Sequence, residues 1–102
     1  MKPIVQNISA VLNEIAETQS GTGIHFEASY DDHNHTMRIE WKAAAEMGEG
    51  EASKFHALPK NDDRILSVEV DMQRHMAVYH VSEQAGEMKR VCRAVSGDYP
   101  RE

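Results

Sequence analysis

The stretch "IHFEASYDDHNHTMRIEWKA", residues 24 to 43, decides the fold. Ile24, Phe26, Ala28 and Tyr30 alternate strictly with His25, Glu27 and Ser29. The same two-residue period returns in Met37, Ile39, Trp41 and Ala43 against Arg38, Glu40 and Lys42. Alternation of this kind puts one set of side chains on each face of a pleated strand. Folding the chain back at residues 32 to 35 sets Tyr30 beside Met37, Ala28 beside Ile39 and Phe26 beside Trp41, so the apolar sets share one face. "DHNH" then reads as a four-residue hairpin loop, with Asp and Asn as its turn-forming residues. The same register pairs Ser29 with Arg38 and His25 with Lys42. It also sets Glu27 opposite Glu40, a like-charge contact that destabilises unless a cation lies close.

The flanking segments extend this hairpin into an α+β domain. Between residues 3 and 19, Ile4, Ile8, Val11, Leu12 and Ile15 recur every three or four positions, the mark of one buried helical face. Pro3 suits the first turn, and the glycines of "SGTG", residues 20 to 23, suit a left-handed cap. Residues 44 to 63 lose all regularity and read as an irregular connection with a short helix or edge strand near "KFHAL". Alternation resumes with Leu66, Val68, Val70 and Met72 against Ser67, Glu69 and Asp71. A turn near Gln73 and Arg74 follows. Residues 76 to 81 are then apolar on both faces, Ala77, Tyr79 and Val81 on one and Met76 and Val78 on the other. Ala85, Met88, Cys92 and Val95 favour a helix over residues 83 to 96, capped by Ser82 and ended by Gly97, with a strand at "KRVCRAV" as the competing reading. Residues 97 to 102 read as a frayed tail. No repeat or low-complexity tract is legible. The expected order is α-β-β-(loop)-β-β-α, a four-stranded, mainly antiparallel sheet in a single domain spanning residues 1 to 102, its helices packed on one face.

Composition narrows the functional classes. With 102 residues, 40% of them hydrophobic and 27% charged, the chain has the make-up of one ordinary globular domain with one core. Seventeen acids against eleven bases leave a formal charge of −6, the opposite of the basic footprint that direct nucleic-acid binding requires. Cys92 is the only cysteine, which rules out an intrachain disulfide and a thiolate zinc cluster. No apolar run is long enough to span a bilayer, and Asn7, Asn13 and Glu14 interrupt the N-terminal stretch where a secretory leader needs continuous apolar residues. A cytoplasmic location and no membrane contact are the resulting expectations.

No chemical motif stands out against this frame. His33 and His35 share a face on an extended segment beside Asp31 and Asp32, a pattern able to hold zinc or nickel, but an exposed turn lacks the supporting shell such a site needs. No metal or other cofactor is expected. Cys92 falls on the apolar stripe of the last helix, where a thiol packs as a small hydrophobe. The serines lack a Gly-x-Ser-x-Gly elbow, and "GTG" and "GEG" lack phosphate-binding context. Glu27 and Glu40 form a carboxylate pair of the kind used in acid–base catalysis, yet a flat sheet face excludes no water. The expectation is therefore a non-enzymatic protein-binding module, an inhibitor or adaptor that covers a basic surface of a larger partner, itself a nucleic-acid-binding protein in one version. Its binding residues would be Glu27, Glu40, Glu69, Asp71, Met76 and Val78 on the face away from the helices. In size and charge alone, the chain resembles phage-encoded inhibitors of bacterial defence, such as anti-CRISPR proteins, and toxin-immunity proteins. The alternatives are a dimeric secretion-type chaperone, for which homodimerisation stays open, and a small metal-dependent enzyme.

Overall fold

The computed structural model describes residues 2–19 and 22–100. Three helices and five strands follow in the order α1 (Ile4–Thr18), β1 (Ile24–Asp31), β2 (Thr36–Ala43), α2 (Glu49–Asn61), β3 (Ile65–Asp71), β4 (Met76–Val81), α3 (Ala85–Val95) and β5 (Gly97–Tyr99). The strands form one antiparallel sheet in the order β3-β4-β2-β1-β5. The fold is α+β. The first hairpin has the register that its alternation dictates, with Phe26 opposite Trp41, Ala28 opposite Ile39 and Glu27 opposite Glu40. Phe26, Met37, Ile39 and Trp41 are buried on the helix side together with Ala77 and Tyr79, and the apolar stripes of all three helices close over them.

The chain does contain a repeat, legible in residue identity only as the Asp-x-x-x-His spacing of its two turns, Asp31 to His35 and Asp71 to His75. A helix followed by a hairpin occurs twice, as α1-β1-β2 and as α2-β3-β4. The two turns are built alike. Asp31 accepts the N–H groups of His33 and Asn34, and Asp71 accepts those of Gln73 and Arg74. Each turn closes on a histidine with positive φ, His35 at 55° and His75 at 56°. What the halves share is turn chemistry and strand period, and the apolar residues that fill equivalent places differ.

Four expectations need correction. The fourth-to-fifth strand count changes because residues 97–99 are not frayed: they pair with Ile24–Phe26 as β5. Tyr99 anchors them, 2% exposed, its ring edge-on to Phe26 at 5.2 Å and its hydroxyl donating to the Val95 carbonyl at 2.7 Å. Gly23 makes room for this strand, since it sits at φ 72° and a Cβ there would lie 3.2 Å from the Tyr99 carbonyl oxygen. Second, most of the connection 44–63 is α2, whose Glu51 carboxylate reaches back to the Gly48 N–H in the manner of a capping box. Pro59 lies inside that helix and hid it from a sequence reading, because proline cannot donate to the carbonyl four residues earlier. That carbonyl, Phe55, is instead bonded at 2.8 Å by the buried Tyr79 hydroxyl. Third, a β-bulge between Ile65 and Ser67 breaks the alternation of β3, so that Ile65 is buried and Leu66 is 62% exposed. Fourth, the helix cap falls at Gln84 and not at Ser82, whose hydroxyl turns to the Arg64 carbonyl. Of the expected "SGTG" cap, Ser20 and Gly21 lie outside the described residues.

A buried carboxylate ties the two halves together at the far end of the core. Asp62, in the α2–β3 turn, accepts from the Arg64 N–H and guanidinium at 2.8–3.0 Å and from the Asn7 amide of α1 at 2.8 Å. These donors hold its pKa at about 2, below the ordinary 3.8.

Candidate functional site

The face of the sheet opposite the helices carries no cover among the described residues. Alternation along each strand and the pairing between strands build it as rows. One row runs Asp71, Met76, Glu40, Glu27 from β3 to β1, and the next runs Glu69, Val78, Arg38, Ser29. The six residues expected to bind a partner, Glu27, Glu40, Glu69, Asp71, Met76 and Val78, therefore all lie on this face and in adjacent positions. Met76 and Val78 are half-buried on the second strand from the edge, and Glu27, Glu40 and Glu69 are exposed.

The expected repulsion between Glu27 and Glu40 is relieved within each strand. His25, two residues from Glu27 and on the same face, places Nε2 at 2.9 Å from its carboxylate, while Arg38 Nε lies 3.4 Å from Glu40. Asp71 has Arg74 at 3.7 Å. Glu69 has no ionic partner among the described residues. A short-period i, i+2 arrangement thus places Arg38 beside Glu40 and, when its ring is protonated, a His25 cation beside Glu27.

His25 forms a second contact that joins β5 to the face. Its Nδ1 is 2.7 Å from Asp98, so the ring lies between two carboxylates. Carboxylates accept and do not donate, and a neutral imidazole has only one N–H. Both contacts are hydrogen bonds only when the ring is protonated, and the bonds to Glu27 and Asp98 raise its pKa above the ordinary 6.5. Asp98 was not legible as part of the face because it joins only through the pairing of β5 with β1.

The other chemical candidates separate in space or are committed to structure. His33 and His35 lie on the exposed first turn; Asp31 is spent on backbone N–H groups and the Asn34 side chain, and Asp32 pairs with Lys89 of α3 at 3.2 Å. No group of three or more His, Cys, Asp or Glu placed to hold a metal occurs among the described residues. Cys92 is buried in the core and burial pushes its thiol up to about 11. Trp41 is held between Phe55, stacked at 4.9 Å on its inner side, and His75, stacked at 5.8 Å. No helix among the described residues is long and apolar enough to cross a membrane.

The fold and face define an α+β domain with one helix-covered and one open sheet surface. Comparison with protein-family models, with curated proteins and with solved structures finds no match for the chain.

Proposed function

We propose that the chain is a non-enzymatic protein-binding module, an inhibitor or adaptor that lays the open face of its sheet over a basic surface of a larger partner. The observation that carries this reading is the position of Met76 and Val78, apolar side chains set among carboxylates on an uncovered face. A wet antiparallel face is ordinarily polar along its whole length. Apolar residues there gain from being desolvated by a partner, and the surrounding charge steers the encounter. Glu27, Asp31, Glu40, Glu69, Asp71 and Asp98 outnumber Arg38, Lys42 and Arg74 on or beside this face, so the steering favours a cationic surface. A groove built to hold nucleic acid has that character.

The test is capture of partners by the immobilised chain, followed by surface plasmon resonance of the captured protein against Met76→Ser/Val78→Ser and Glu69→Lys. The double substitution is expected to weaken binding at least about tenfold, or about 1.4 kcal/mol. Glu69→Lys acts mainly on association rate, with a difference that shrinks at high salt. Unchanged binding by both variants, with intact thermal melts, removes the face from the mechanism.

A further inference from the structure

The two edges of the sheet are unequal. β5 is three residues long and is followed by Pro100, which has no N–H to offer an incoming strand. β3 is seven residues long, pairs with β4 on one side and, among the described residues, has no strand on the other. Natural edge strands of that kind are ordinarily blunted by Lys, Pro or a bulge. β3 contains neither Lys nor Pro, and its bulge lies at its start, which leaves residues 67 to 71 in regular register. The same bulge turns Leu66 outward, and this is the large apolar side chain that the described fold leaves in solvent. Val68 and Val70 point towards the helix layer yet stay half-buried, because no further strand flanks them. Glu69 between them points to the open face without an ionic partner among the described residues.

We propose that β3 is a docking edge that receives an extended segment of a partner protein as an added strand, its apolar residues alternating with basic ones. Main-chain N–H and C=O groups supply the pairing, and alternate side chains supply the selection. Apolar residues of the incoming strand cover Val68 and Val70 on the helix side. Lys or Arg on the other side stands opposite Glu69, a favourable cross-strand pair.

A second copy of this chain fits the edge poorly. Setting Val68 against Val70 of the copy brings the two Glu69 carboxylates directly opposite each other, which is destabilising. Centring the pair on Val68 sets the inward Val70 against the outward Leu66 beyond the bulge, so the faces mismatch. The edge shares Glu69 with the open face proposed above and differs from it in being recognised through backbone groups, so the methylated peptides, and not Glu69→Lys, tell the two apart.

The experiment is NMR titration of the 15N-labelled full chain with an end-blocked heptapeptide of alternating Val and Lys, and with its Val/Glu counterpart. Shifts are expected to concentrate at Leu66–Asp71, with the Val/Lys peptide bound at least tenfold more tightly than Val/Glu. Glu69→Lys should invert that preference with the spectrum otherwise dispersed as before. Two further Val/Lys peptides, N-methylated on one or the other alternate set of amides, separate strand pairing from charge attraction: one of the two should lose binding. Four results overturn the proposal. They are shifts confined to the open face, no binding at millimolar peptide, equal binding by both methylated peptides, and self-association of the chain through β3.

Discussion

His35 and His75 occupy one position in two copies of the same turn, and each passes its carbonyl to the other copy. The His35 carbonyl accepts the Val81 N–H of the second hairpin and the His75 carbonyl accepts the Trp41 N–H of the first, both at 3.0 Å. Between these two bonds, β2 and β4 pair from Thr36 opposite His80 to Glu40 opposite Met76. The left-handed conformation aims each carbonyl across the seam, so the turns terminate their own hairpins and lock the two hairpins together.

A left-handed non-glycine residue carries a backbone penalty that glycine avoids. His35→Gly is expected to raise stability by about 0.5–1 kcal/mol in thermal or urea melts. His75→Gly should gain less or lose, because His75 also stacks on Trp41 with ring planes 15° apart. Equal gains at both positions would show that the stack contributes no more than the contact of His35 Nδ1 with the Tyr30 hydroxyl at 3.4 Å.

Tyr79→Phe removes the donor that serves the Phe55 carbonyl inside the core. Leaving a buried acceptor unmet costs about 1–3 kcal/mol, and urea melts of the variant should show a loss in that range with an unchanged m-value. A neutral result would mean that water reaches the carbonyl despite the burial of both residues.

Asp62 makes stability acid-sensitive. Its folded pKa is about 2 against the ordinary 3.8, so the carboxylate form is favoured by folding. That contribution, about 2 kcal/mol, is complete above about pH 4 and is lost as pH falls through about 2. Asp62→Asn should cost about that amount at neutral pH, and the difference from wild type should close across this acid window. A pH-independent difference would assign the loss to packing and not to charge.

His25 has the opposite sign. Its raised pKa means that the folded state favours the protonated ring, so its contribution is present below the ordinary 6.5 and fades as pH rises through the folded value. NMR titration should place its midpoint above 6.5, and Asp98→Asn should bring it down. Partial burial of the ring acts against the shift. A midpoint unmoved by Asp98→Asn would leave Asp98 out of the clamp.

The parts legible in the sequence were those set by a local period. Strict alternation from Ile24 to Ala43 carries the first hairpin and its register, and the spacing of Ile4, Ile8, Leu12 and Ile15 carries α1. The parts that were not legible depend on partners far along the chain. Pro59 argues against a helix on local grounds, and only Tyr79, which serves the carbonyl that Pro59 leaves unbonded, shows how the helix tolerates it. Leu66 fits the alternation by spacing, and the bulge that expels it arises from pairing with β4. Gly97 and Asp98 carry no strand signal by themselves; Tyr99 and the pairing with β1 make one. The face residues were placed correctly because face follows from parity along a strand. Their electrostatics do not follow from cross-strand pairing, because His25 and Arg38 reach the carboxylates two residues along their own strands.

The seam between β2 and β4 joins two helix–hairpin units, with residues 44–48 as the chain link between the first unit and α2. Nothing in the reciprocal carbonyl bonds of His35 and His75 requires that both hairpins belong to one molecule, since each bond runs between units and not within one. What keeps the pairing intramolecular is the high effective concentration that a link of five residues imposes. The link is thus a selector of topology: a chain in which it is too short to turn back would satisfy the same seam by exchanging its second unit with a neighbour, giving an intertwined dimer of unaltered cores.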